Sequence, residues 1–322
     1  MKADIRYSIV IPVYNEEAVI AQTYRRLKKV MDSTSEPYEL IFVNDGSCDH
    51  TSALIKGFRN QNAAVKLITF SRNFGHQIAI TAGMDYALGA AVVVIDADLQ
   101  DPPELILDMI AKWKEGYYVV YATRTRRKGE SFFKKQTARL FYRILSASTD
   151  IDIPTDTGDF RLLDRTVCEE LKRLPEKNRY VRGLVSWVGF RQTSVEYERD
   201  ERLVGETKYS LKKMIKLSLD GLTSFSFKPI RMASYTGATL LFSGLIYLAV
   251  ILLSRLSTAS VIEGWCLVIA MQLVLTGILL TMMGIIGEYI GRIYDESRNR
   301  PLYIVSECYG MMKKEQKVKR VV

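Results

Sequence analysis

Five runs of β-branched and other apolar residues recur through the first half of this sequence, each too nearly continuous to leave one face in water. They read YSIVIPV (7–13), YELIFVN (38–44), VKLITF (65–70), AVVVID (91–96) and YVVYAT (118–123). A strand with one wet face alternates apolar and polar residues, whereas a strand of a parallel sheet is covered on both faces. Amphipathic segments at 16–31, 51–59, 77–88 and 103–114 lie between the runs. This alternation predicts an open α/β sheet with right-handed crossovers, in which a ligand binds beyond the carboxyl ends of the strands. Asn15, Asp45 and the pair Asp96 and Asp98 fall at those ends. FRLLD (160–164) and FRQTSVEY (190–197) predict shorter strands, 131–148 a basic helix, and 150–159 a polar loop.

The character of the chain then changes. Residues 232–254 and 264–287 carry no charge, and each stretch exceeds the ~20 residues of helix that cross ~30 Å of hydrocarbon. The link between them, 255–263, is short, so the pair predicts a helical hairpin with both ends on one side. Lys212, Lys213, Lys216, Lys228 and Arg231 precede the hairpin, and Arg292, Arg298 and Arg300 follow it. Cations on both flanks put both termini in the cytoplasm of a two-span protein of the cell membrane. Two core helices of a soluble protein are the alternative, and their uncharged length argues against it. Residues 209–228 have apolar positions at helical spacing (Leu211, Met214, Ile215, Leu219, Leu222) with lysines elsewhere. They predict a helix at the membrane interface, with packing on the soluble part as the other possibility.

The formal net charge of +9 invites an anionic partner, and its placement beside the greasiest segments favours a membrane surface over nucleic acid. Cys48, Cys168, Cys266 and Cys308 form no CxxC pair and there are two histidines, His50 and His76, which argues against structural zinc. The N-terminal apolar run, broken by Pro12, Asn15 and Glu16, does not read as a signal peptide. Four parts follow: a cytosolic domain to 208, the juxtamembrane helix 209–228, spans within 229–290, and a basic cytosolic tail 291–322. Gly287 and Gly291, four apart, are a weak signal for helix packing between protomers of a homo-oligomer.

The fourth run exits into DADLQDPPE, which places Asp96, Asp98 and Asp101 together. Carboxylates so close repel one another and resist desolvation, so they need a cation or a set of donors to share. Asp96 and Asp98, two apart on an extended strand end, would turn to one side and suit Mg²⁺ or Mn²⁺. Pro103 is expected at the first position of the following helix. A lone DxD is weak evidence. Here it is accompanied by SIVIPVYNEE at the first strand, VNDGSCDHT at the second and RNFGHQIAITAGMDYA after the third.

That ordered set resembles the GT-A fold of family 2 glycosyltransferases. With DTGDFRLLDR, RLVGETKYS and the two uncharged stretches, the chain resembles the polyprenyl-phosphate glycosyltransferases from about residue 7 to 305. The resemblance implies a Rossmann-like nucleotide-sugar domain and an inverting transfer of one sugar to undecaprenyl phosphate. The implied donor is UDP-glucose first, then UDP-N-acetylglucosamine or GDP-mannose. It assigns Pro12, Tyr14, Glu16, Asp45, Arg72 and Arg124 to the donor, with Asp45 accepting from the base. It puts Asp96, Asp98 and Gln100 around a divalent metal and the diphosphate, and makes Asp159 the acidic catalytic residue alongside Asp98. Arg202 and Lys208 would meet the lipid phosphate.

Other readings of single residues stay open. Asp45 can cap a turn, Arg72 can be a surface residue, and His76 reads more readily as a hydrogen-bonded structural residue than as a ligand. A silent nucleotide-sugar sensor would not need Asp96, Asp98 and Asp159 together, and a transporter would need polar groups within its spans. A processive synthase would carry a QxxRW sequence, which this chain lacks. A chain stopped after Lys228 is expected to keep its nucleotide-binding domain.

Overall fold

The apolar runs become strands over nearly their full lengths: β1 (Tyr7–Val13), β2 (Tyr38–Asn44), β3 (Val65–Phe70), β4 (Ala91–Val94) and β5 (Val119–Arg126). The computed structural model describes residues 5–126, 157–198 except 175 and 178, 265–311, and isolated helical positions between 235 and 246. Helices α1 (Ile20–Asp32), α2 (Thr51–Gln61), α3 (His76–Tyr86) and α4 (Leu105–Lys114) connect the first five strands. There follow β6 (Thr157–Asp164), α5 (Arg165–Arg173), α6 (Val181–Trp187), β7 (Gln192–Glu198), α7 (Trp265–Ser297) and β8 (Val305–Tyr309). The expected basic helix at 131–148, the interfacial helix, Arg202 and Lys208 lie outside the described residues, as does nearly all of 232–254.

All eight strands form one sheet in the order β7-β5-β6-β4-β1-β2-β3-β8. β1 to β4 are parallel, while β6 runs antiparallel between β4 and β5 and β8 runs antiparallel to β3. Both faces are covered, as continuous apolar strands require. Ile9 and Ile11 of β1 pack on one side with Ile20, Leu27, Ile55 and Ile106 of α1, α2 and α4. Val10 faces the other side, with Ile80, Val167 and Leu184 of α3, α5 and α6. A side chain at Gly83 of α3 would stand 2.1 Å from Val10, so glycine lets this helix lie close on the sheet.

Two features of the sheet build a crevice. The strand order reverses beside β1, where β2 and β4 lie on opposite flanks. β4 is short and its last residue, Val94, pairs with Val10. Val10 accepts a bond from the Ile95 N–H on the β4 side (3.1 Å), so Pro12, two residues on, faces the same side where β4 has already turned away. Its missing N–H therefore removes no ladder bond, although β1 is a central strand.

The structure corrects three local expectations. Asp96 and Asp98 are not on an extended strand, because the chain is already turning at Ala97 and Leu99 has φ 58°. Helix α4 begins after Pro103, with Glu104 as its N-cap, because the Pro102 and Pro103 carbonyls accept from Leu105 and Ile106 in the entering turn. Helix α1 starts at Ile20, since the N–H groups of residues 15–17 donate to the loop after β2 and to Thr51 at the start of α2 instead.

Helix α7 has 33 residues, a length of about 50 Å. It contains the one helix segment among the described residues long and apolar enough to cross a membrane, Leu275–Ser297. Its apolar side chains are exposed, Leu279 by 58%, Met283 by 59% and Ile290 by 60%, so the described residues leave them uncovered. Beyond it the chain returns to the sheet. The Lys177 N–H donates to Glu296 Oε1 (2.7 Å), the Ser71 N–H donates to the Ile304 carbonyl (3.0 Å), and Tyr303 stacks on Phe70 with centroids 5.1 Å apart. β8 then pairs with β3, and Lys56 meets Glu307 at 2.7 Å. The stretch read from sequence as a basic tail thus contains an edge strand.

Candidate active site

The carboxyl ends of β1 and β2 carry two loops that are tied to each other. The Asn15 N–H donates to Ser47 Oγ (3.0 Å), the Cys48 N–H to Asn15 Oδ1 (2.9 Å), and the Glu16 N–H to Thr51 Oγ1 (2.9 Å). Tyr14 is 39% exposed on this rim, Glu16 is half-buried, and Pro12 is buried beneath them. Asp45 is buried, and its carboxylate accepts from the Phe74 N–H (2.6 Å) and the Gly75 N–H (2.9 Å). Burial raises its pKa from the ordinary value, and those two bonds pull against the rise. Asp45 therefore fastens the loop 71–75 as a capping residue would, with acceptor capacity left over. Arg72 lies on that loop, its guanidinium 4.0 Å from the Phe74 ring centroid. Gly46 has φ 71°, and a side chain there would stand 2.7 Å from the Arg72 backbone, which keeps this approach to glycine.

Asp159 arrives from the other direction. β6 is antiparallel to β4 with Val94 opposite Arg161, so the start of β6 lies beside the exit of β4. The same register carried two residues further sets Asp159 level with Asp96. Between them stands His76, the first residue of α3, with Nε2 3.2 Å from Asp159 Oδ2 and 3.5 Å from Asp96 Oδ1. Gln77 donates to Asp159 Oδ2 (3.2 Å). Arg182, at the start of α6, donates from Nε to Asp159 Oδ1 (2.8 Å) and from Nη1 to the Thr157 carbonyl (3.0 Å).

The electrostatics of these neighbours differ. Burial alone would raise Asp159, yet the charge of Arg182 and the bonds from His76 and Arg182 hold it well below the ordinary carboxylate range. Burial would lower His76, and the charges of Asp96 and Asp159 reverse this and push it up to about 9. Asp96 is pushed up to about 6 by burial and by Asp159, Asp101 and Asp98, against the pull of His76.

The residues present fit a divalent cation. Asp96 Oδ1 is buried without a hydrogen-bond donor among the described residues. A carboxylate raised by burial and by neighbouring acids gains most from a hard cation. No group of three His, Cys, Asp or Glu converges on a metal-sized point among the described residues, so a cation held here would take most of its ligands from water or a bound anion. Asp98 lies in the turn after Asp96, where its Oδ1 accepts from the Gln100 N–H (3.2 Å). Asp101, in contrast, is buried and accepts from the Tyr197 hydroxyl of β7, so it belongs to the framework of this loop. Arg124 is in β5 opposite Tyr197, near the same edge, and its side chain lies outside the described residues.

Pro12, Tyr14, Glu16, Asp45, Arg72, Asp96, Asp98, Gln100 and Asp159 thus gather along one edge of the sheet. His76, Gln77 and Arg182 were not among the expected site residues. The strand-end rule marks His76 and Gln77, which open the helix after the loop that leaves β3. No local pattern marks Arg182.

Known proteins share this chain's length and layout. The family model for glycosyl transferase family 2 matches residues 8–172. The "Uncharacterized glycosyltransferase YkcC" of Bacillus subtilis is 65% identical over 314 residues, 98% of this chain and 97% of that protein. The "Prophage bactoprenol glucosyl transferase homolog" of Escherichia coli is 38% identical over 301 residues, 94% of this chain and 98% of that protein. The "Bactoprenol glucosyl transferase" of Shigella phage SfII is 38% identical over 305 residues, covering 95% and 99%. The α/β sheet, the acidic edge and these full-length likenesses agree: this chain is a glycosyltransferase and belongs to glycosyl transferase family 2.

Proposed function

We propose that this enzyme moves a single sugar, with inversion, from a nucleotide sugar to undecaprenyl phosphate at the cytoplasmic face of the cell membrane. UDP-glucose is the first candidate donor, with UDP-N-acetylglucosamine and GDP-mannose behind it. The observation that carries this reading is the likeness to bactoprenol glucosyl transferases over 94–95% of the chain, which includes the apolar helix as well as the sheet. The product would supply lipid-linked sugar for modification of cell-envelope glycans.

The geometry suits such a reaction. The β1–β4 crevice and the loop held by Asp45 accept the nucleotide. Asp96 and Asp98, with Gln100 beside them, would hold Mg²⁺ or Mn²⁺ against the diphosphate, and the cation supplies charge stabilisation for the leaving group. Asp159, kept ionised by Arg182, faces the region where positive charge grows on the sugar. A phosphomonoester has its second pKa near ~6, so the acceptor is already a competent nucleophile at neutral pH. Asp159 then orients and stabilises, and proton removal is not its task. Arg124 would contact the donor phosphates, and Arg202 and Lys208 the lipid phosphate.

Two spans, 232–254 and 264–287, would anchor the enzyme, with the catalytic domain and both termini in the cytoplasm. The end of α7 bonds to Lys177, and Arg182 lies on the helix that follows, so the anchor joins the domain close to the acidic edge. The test is to incubate membranes containing the enzyme with a panel of labelled nucleotide sugars and analyse the lipid fraction. Label from UDP-glucose in a polyprenyl-phosphate sugar is expected, removed by a chelator. Label from another donor would correct the sugar, and no lipid label from any donor would overturn the reading.

A further inference from the structure

Within the proposed site, and resting on the role given there to Asp159, we infer that Gln77 is a positioning residue that sets both sides of the grip on this carboxylate. Its amide lies between two groups of fixed character. Nε2 donates to Asp159 Oδ2 (3.2 Å), and an ionised carboxylate can only accept. Oε1 accepts from the Val181 N–H (3.1 Å), and a backbone N–H can only donate. The two partners therefore allow one orientation of the amide, with both ends satisfied.

Val181 is the first residue of α6, and its neighbour Arg182 donates from Nε to Asp159 Oδ1 (2.8 Å). The first N–H groups of a helix have no acceptor within it, and the N-cap residue Tyr180 offers none from its side chain. Gln77, from the first turn of α3, supplies the acceptor that the buried Val181 needs. A helix of seven residues has little stability of its own, so contacts from outside decide where its first turn sits. The bonds close a ring: Gln77 to Oδ2, Oδ1 to Arg182, and Arg182 through the backbone to Val181 and back to Gln77. Without the amide, Asp159 loses one donor directly, and Arg182 loses the anchor that sets its reach. His76 also binds Oδ2, at 3.2 Å, yet that bond does not hold α6.

The test uses the full-length enzyme in membranes, with lipid labelling for turnover and titration with UDP for the donor site. Gln77→Leu removes both bonds and should lower kcat about 10–100-fold, with donor KM and UDP affinity within about twofold of the wild type. Gln77→Glu keeps an acceptor for Val181 but turns a second carboxylate on Asp159, so it should lose turnover although α6 stays capped. UDP affinity, unchanged in both variants, reports that the fold is intact. The deciding comparison repeats Gln77→Leu in an Arg182→Ala enzyme. With the guanidinium gone α6 has nothing to deliver to Asp159, so the substitution should cost severalfold less there than in the wild type. A residue that only supported packing would cost the same in both. Equal losses in the two backgrounds, Gln77→Leu turnover within about twofold of the wild type, or UDP affinity falling in step with turnover would each overturn the inference. A wild-type enzyme that labels no lipid from any nucleotide sugar would instead remove the proposed role of Asp159, and the inference with it.

Discussion

Asp159 sits between two positively disposed groups, and that sets what it can do. A base must release its interactions to take a proton, and Arg182 and His76 hold this carboxylate ionised far below the ordinary range. Its contribution to transfer is therefore charge and placement. Arg182→Lys keeps the charge but cannot span Asp159 and the Thr157 carbonyl as the guanidinium does. Turnover should fall about 10-fold or more with UDP affinity unchanged, measured by lipid labelling and nucleotide titration. Loss of UDP affinity in step with turnover would show that Arg182 supports the donor site instead. Asp98→Asn should remove most activity and its metal dependence while leaving the thermal midpoint in place, because Asp98 is only part-buried in a turn. Full turnover of this variant in metal-free buffer would exclude Asp98 from the cation site. Asp45, Asp96 and Asp98 were legible in the sequence because strand ends have a known place in α/β sheets, whereas Asp159 was marked only by the family resemblance. Arg182 was not, because it comes from a short helix whose position depends on packing against α5 and β6.

At the scale of elements, the apolar runs identified β1 to β5 because burial on both faces leaves a compositional trace. β8 leaves almost none. Its sequence, VSECY, mixes polar residues into an exposed edge, and it is held by pairing with β3 and by contacts to α2. The position of β6 was equally hidden, since nothing in an apolar run says that an antiparallel strand will insert between β4 and β5. β8 changes what a shortened chain can do. Tyr303 stacks on Phe70, which meets Phe74 edge-on with centroids 5.6 Å apart, and the Phe74 N–H binds Asp45. A chain stopped after Lys228 loses this support and the edge strand, so the expectation that its nucleotide site survives intact has to be revised. Tyr303→Ala should destabilise the catalytic domain by about 2–4 kcal/mol, from the lost ring contacts and the bond to Asp85, and weaken UDP binding through the loop 71–75. Denaturant unfolding and UDP titration measure the two effects. A destabilised variant with normal UDP affinity would break the proposed link between Tyr303 and the donor loop.

The whole molecule is a sheet whose last strand is made some 240 residues after its partner, with an apolar helix in between. Backbone hydrogen bonds form only between segments in the same compartment, so β3 and β8 mark one side of any membrane the chain meets. If the path from β7 to β8 leaves that side it must come back to it, which allows only an even number of crossings, zero included. If α7 crosses, one further crossing has to occur between residues 199 and 264, whatever the hydropathy of any single segment there. The short link at 255–263 is then on the far side. Ser257→Cys should react with a membrane-impermeant maleimide on intact cells, whereas the exposed Cys48 and Cys308 should react only after lysis. Labelling of all three only after lysis would mean zero crossings, and α7 would lie along the membrane. A sheet closed by a strand from beyond the apolar helix thus acts as a parity check on topology.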